Sequence, residues 1–150
     1  MAVKQGARQV TAVDIDDQVI EAAQKNFQEN LVSSCVTTFH TRENYYGEEK
    51  FPLCDITVAN ILPGPLIRLA LPLWSLTKPG GLLCLSGMRP NEFSAVRDKY
   101  AAFVDIDSEV ITTVKDEKYG EWVRWHARTK LFSNVEKQTI FATFSDAATE

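Results

Sequence analysis

The sequence predicts an α/β fold: a mostly parallel sheet finished by an antiparallel hairpin. Three observations carry this. Short apolar runs alternate with stretches of helical periodicity from residue 10 to residue 103. Residues 55–61 are β-branched and apolar, the signature of a parallel strand buried between helices. Two longer runs, residues 104–114 and 122–128, follow one another across a Tyr119-Gly120 turn, as the arms of a hairpin at a sheet edge do.

Taken in order, residues 10–14 (Val-Thr-Ala-Val-Asp) read as the first strand. Asp16 or Asp17 can cap the helix that follows by accepting from a free backbone N–H. Val19, Ile20, Ala23, Phe27 and Leu31 recur along it at helical spacing. Residues 36–40 are the second strand, and the polar stretch 41–52 is a loop or short helix. Pro63-Gly64-Pro65 ends the run 55–61 and opens a helix to about Leu76, which Pro72 should kink. Lys78-Pro-Gly-Gly81 is a turn, residues 82–86 a strand, and residues 91–103 a helix through Phe93, Val96 and Tyr100. Trp122 and Trp125 fall on opposite faces of their strand, so one packs inward; a substrate-stacking role for the other is the alternative. Residues 131–150 read as an appendage.

Composition narrows the function. The chain has 150 residues and a net charge of −4, with no run of Lys or Arg, so it lacks the basic face of a nucleic-acid binder. It shows no transmembrane run and no secretory leader. Cys35, Cys54 and Cys84 have no CxxC spacing, and His40 and His126 stand alone, so reduced thiols and no metal site are expected. The location expected is the cytoplasm, or an organelle if a transit peptide has been removed.

Three places can carry chemistry. Asp14 ends a strand, where ligands bind in doubly wound folds, and its carboxylate can accept both hydroxyls of a ribose. The alternative is that Asp14, Asp16 and Asp17 only shape the turn. Asn60 ends the next buried strand ahead of a stiff Pro-Gly-Pro turn. Its oxygen could accept from an incoming amine and aim the nitrogen lone pair at a methyl donor; the alternative is an amide that bonds local backbone. Thr41-Arg42-Glu43-Asn44 could cover an adenine ring, or be plain surface.

Together these segments resemble a family. Residues 10–18, 58–71 and 79–87 are similar to the ribosomal protein L-eleven methyltransferases. The Asn60-Ile-Leu-Pro-Gly-Pro-Leu66 run, the Gly80-Gly-Leu-Leu-Cys-Leu-Ser-Gly87 strand and the Glu121-Trp122-Val-Arg124 pattern carry the likeness. It spans residues 1–130, a partial methyltransferase domain, with 131–150 as a C-terminal extension. It implies a Rossmann-like class I fold of strand order 3-2-1-4-5-7-6. It also implies S-adenosyl-L-methionine as cofactor, and methyl transfer to amino groups of a ribosomal large-subunit protein. By resemblance, Asp14 is the ribose-binding acid and Asn60 lies beside both methyl donor and acceptor amine. Pro63 stands where a small residue such as Ala is common.

The family also carries a first strand and an Asp-x-Gly-x-Gly-x-Gly loop ahead of Ala2. The seven glycines here (Gly6, Gly47, Gly64, Gly80, Gly81, Gly87, Gly120) form no such loop. The resemblance thus implies an N-terminally truncated domain, with impaired activity and weak cofactor binding by this chain alone. Strand edges left open would allow self-association. Two other readings stand beside the enzyme: a non-catalytic interaction module of methyltransferase ancestry, and a nicotinamide-dinucleotide dehydrogenase fragment, since Asp14 could bind that ribose as well.

Overall fold

The computed structural model describes residues 1–40, 51–133, 135, 136, 139 and 140. The chain divides into two compact units, Met1–Gly47 and Glu48–Glu150.

The first unit is a parallel pair joined through a helix. Strands β1 (Val10–Asp14) and β2 (Val36–His40) run in register from Val10 opposite Val36 to Asp14 opposite His40. Helix α1 (Asp17–Glu29) makes the crossover that parallel strands require. Asp16 is its N-cap: the backbone there is extended, and the carboxylate accepts from Gln18 N at 2.8 Å. Ile20, Ala23 and Phe27 form the half-buried face. Leu31, expected on that stripe, instead lies just past the helix with φ 57° and is 91% exposed. Its N–H reaches Gln28 O, and Val32 N–H reaches Phe27 O. This is the left-handed helix stop, which ties down the last carbonyls.

The second unit is a four-stranded sheet of order β3-β4-β6-β5. Strand β3 (Cys54–Asn60) pairs parallel with β4 (Thr77–Met88). Strand β6 (Gly120–Thr129) lies antiparallel to both β4 and the edge strand β5 (Val104–Asp116). The predicted turn at residues 78–81 is an excursion within β4: pairing jumps from Cys54–Thr77 to Ile56–Leu82, with Gly80 at φ 72°. The predicted single helix is two, α2 (Pro63–Arg68) and α3 (Ala70–Ser75), interrupted at Leu69. Pro72 has no N–H for the Arg68 carbonyl and its ring crowds that carbonyl, so the break falls a turn before the proline. Helix α4 spans Phe93–Tyr100.

A single core fills this unit. Trp74, Trp125, Tyr100, Leu66, Leu83, Leu85, Met88 and Val96 are fully buried. Trp74 stacks on Phe103 at 4.8 Å between ring centroids. The Tyr100 hydroxyl donates to Leu66 O at 2.7 Å, and burial pushes its phenol pKa well up. Arg97 on α4 donates twice to Glu109 on β5, at 2.8 and 2.7 Å, and Trp125 Nε1 donates to the same carboxylate at 3.0 Å. The Arg97 bonds hold the Glu109 carboxyl below its ordinary range. Phe132 and Ile140 also pack against the core.

The two sheets correspond to the 3-2 and 4-5-7-6 portions of the order implied by the resemblance. Among the described residues, β1 bonds to β2 and β3 bonds to β4, so each keeps one open edge.

Candidate functional site

The predicted site residues stand at carboxyl ends of parallel strands, where side chains project beyond the sheet. Asp14 is the last residue of β1. Its Oδ1 accepts from Ile15 N at 2.7 Å and Asp16 N at 3.0 Å. The turn therefore fixes the carboxylate and engages one oxygen. The other oxygen has no partner among the described residues. Asp14 thus shapes the turn and still offers an acceptor, so the two readings of it are compatible. Asp16 serves as the cap. Asp17 lies 3.5 Å from His40 Nε2, at the end of β2.

In the second unit, Asn60 is the last residue of β3, opposite Ser86 of β4. It is exposed, and its carboxamide makes no hydrogen bond among the described residues. It is therefore not spent on local backbone. The chain after it is held closely: Ile61 N donates to Ser86 O at 3.2 Å, and α2 begins at Pro63, with Leu62 extended before it. Proline at that position has no N–H to leave unsatisfied. Thr41, Arg42, Glu43 and Asn44 lie outside the described residues.

The tip of the β5–β6 hairpin lies at this same end of the sheet, because β6 starts there and runs back along β4. Trp125 is the buried tryptophan. Trp122 is half-buried, with the Arg89 guanidinium 4.0 Å above its ring. That guanidinium also donates to the carbonyls of Tyr119 and Glu121, and Glu92 accepts from Arg89 N at 2.7 Å. The clamp ties the tip to the end of β4. Nothing in the residue pattern announces it, because Arg89 and Trp122 are joined only by the sheet order.

The three cysteines are free thiols. Burial pushes Cys54 and Cys84 up, which keeps them protonated and poor nucleophiles. Among the described residues no group of three His, Cys, Asp or Glu side chains could hold a metal ion. No helix among them is long and apolar enough to cross a membrane.

The family model of the ribosomal protein L11 methyltransferases (PrmA) matches residues 1–130. The chain belongs to the ribosomal protein L11 methyltransferase family. A curated member from Pseudomonas putida (strain GB-1) is 40% identical over 125 residues, 83% of this chain and 39% of that protein. One from Shewanella halifaxensis is 42% identical over 108 residues, 71% of this chain and 35% of that protein. The chain thus spans about two fifths of the length of these relatives. Among solved structures, the ribosomal protein L11 methylase from Lactobacillus delbrueckii subsp. bulgaricus superposes with a TM-score of 0.68 at 25% identity. The match covers 86% of this chain and 62% of that one. The L11 methyltransferase assignment carries the Rossmann-like methyltransferase fold with it, and it sets the dehydrogenase reading aside.

Proposed function

We propose that this chain supplies the ribose-holding acid and the amine-orienting amide of an S-adenosylmethionine-dependent protein N-methyltransferase acting on a ribosomal large-subunit protein. Family membership supports the reaction class. One observation supports the assignment within the chain: Asn60, at the end of a paired strand, presents a carboxamide with no hydrogen bond among the described residues.

The residues suit the cofactor. Asp14 is anchored through one carboxylate oxygen, and its other oxygen fits a ribose hydroxyl. When bound, the cofactor supplies a methyl group activated on a sulfonium, with a neutral leaving group, so the residues have mainly to orient the acceptor. The Asn60 oxygen accepts an N–H of the incoming amine and directs its lone pair along the line of displacement, where geometry dominates the rate. The amine must arrive deprotonated, which desolvation favours.

The test uses this chain joined behind the preceding segment of the Pseudomonas putida relative, with labelled cofactor and the large-subunit protein as acceptor. Asn60→Ala should lower turnover about 100-fold, the scale of a misplaced reactant, and change cofactor affinity little. Asp14→Ala should do the reverse. Equal effects of the two substitutions would argue against both roles.

A second reading is self-association, favoured by the edge of β3 that pairs with no strand among the described residues. Ile56 and Val58 are 57% and 71% exposed there, and the strand carries no Lys or Pro of the kind that protects edges. Sedimentation of the 150-residue chain should show concentration-dependent dimers, and Val58→Lys should abolish them. A wild-type chain monomeric at all concentrations rules this reading out.

A further inference from the structure

We propose that Gly87 is the positioning residue that seats the Asn60 turn on the end of β4, an inference that rests on the role given above to Asn60. Gly87 has φ +94°, a conformation that L side chains rarely adopt. A Cβ there would lie 2.8 Å from the carbonyl carbon of Ile61 and 3.0 Å from its nitrogen, and closer still to its carbonyl oxygen. All three are backbone atoms of the residue directly after Asn60, so they cannot swing aside as a side chain can.

The other left-handed glycines of the second unit differ. A Cβ on Gly80 would meet Leu131 Cδ2 at 3.1 Å, and one on Gly120 would meet Arg89 Nη1 at 2.8 Å. Both are side-chain atoms. Gly87 alone among them presses on main chain.

Both sides of this contact are anchored. Met88 is fully buried and paired with Val123 of β6. Arg89 is held by Glu92 through its N–H, and by the carbonyls of Tyr119 and Glu121 through its guanidinium. Strand β4 is thus pinned just beyond Gly87. The facing turn is held by Ile61 N to Ser86 O at 3.2 Å, by Leu62 O accepting from Leu66 N at 3.1 Å, and by the Ile61 side chain packed against the core. A side chain at position 87 therefore forces Ile61 away from the end of β4 and shifts Asn60, the residue joined to it. Displacement on the ångström scale at a reacting centre costs about 100-fold in rate, which makes this glycine part of what aims the amide.

The test is NMR on the 150-residue chain. Gly87→Ala should shift the Asn60 side-chain NH₂ resonances, remove their native nuclear Overhauser contacts and speed exchange of the Ile61 amide at least tenfold. Gly80→Ala has the same left-handed strain on the same strand. It should lower the melting temperature through that strain yet leave the Asn60 and Ile61 signals unmoved. Gly87→Asn tolerates positive φ better and still carries the Cβ, so it should displace the turn even if Gly87→Ala does not fold. Native Asn60 contacts and Ile61 exchange in a folded Gly87 variant, or the same perturbation in Gly80→Ala, overturn the proposal. A displaced turn in a protein whose Asn60→Ala form turns over normally would instead overturn only the role of Asn60.

Discussion

The first unit presents its acid with none of its described side chains fully buried, whereas the second holds every buried residue among those described. The units reach order by different physics. Around Asp14, beyond the pairing of β1 with β2, the order is local: an acid accepting from the next two amides, a capped helix start, a left-handed helix stop. Around Asn60 the order is long-range. The strand end is fixed by β4, β4 by β6, and β6 by an aromatic core with α4 packed over it. A ligand acid can sit on a local device because neighbouring backbone atoms orient it. An amide that must be aimed needs a rigid platform beneath it.

The sharpest way to break this contrast is to truncate one aromatic in each unit. Trp125→Ala removes a fully buried ring that packs against Phe93 and Tyr100 and donates to Glu109. It should cost about 3–5 kcal/mol, the range for large-to-small changes in a core. Phe27→Ala removes a half-buried ring on α1 and should cost about 1 kcal/mol, the centre of the distribution for point substitutions. Denaturant unfolding of both variants checks this; equal losses would mean that the first unit is held as firmly as the second.

The same division explains what could be read in the sequence. The bounds of β1 and β2, and the Asp16 cap, follow from residue type and near spacing, and they stand as expected. Asp14 and Asn60 were legible as polar residues at or next to the ends of apolar runs. Leu31 misled because its apolar side chain fits a helical stripe, while its place after Asn30 puts it in the helix stop. Pro72 pointed to a kink, whereas its crowding acts on the carbonyl four residues earlier and interrupts the helix at Leu69. The contacts that hold the second unit's strand ends were not legible at all. Gly87 meets Ile61 across 26 residues and Arg97 meets Glu109 across 12, and only the strand order makes them neighbours.

The smallest predicted effect tests the local side of the comparison. Asp16→Ala removes the oxygen that accepts Gln18 N at 2.8 Å and leaves a free N–H at the start of α1. The expected cost is about 1 kcal/mol. It should appear as faster amide exchange through the first turn of α1, with β4 and β6 unchanged. Asp16→Asn keeps an acceptor oxygen in the same place and should restore most of the protection, losing only the favourable charge at a helix start. If exchange quickened in β4 and β6 as well, the two units would be unfolding as one, and local stabilisation could not explain how Asp14 is held.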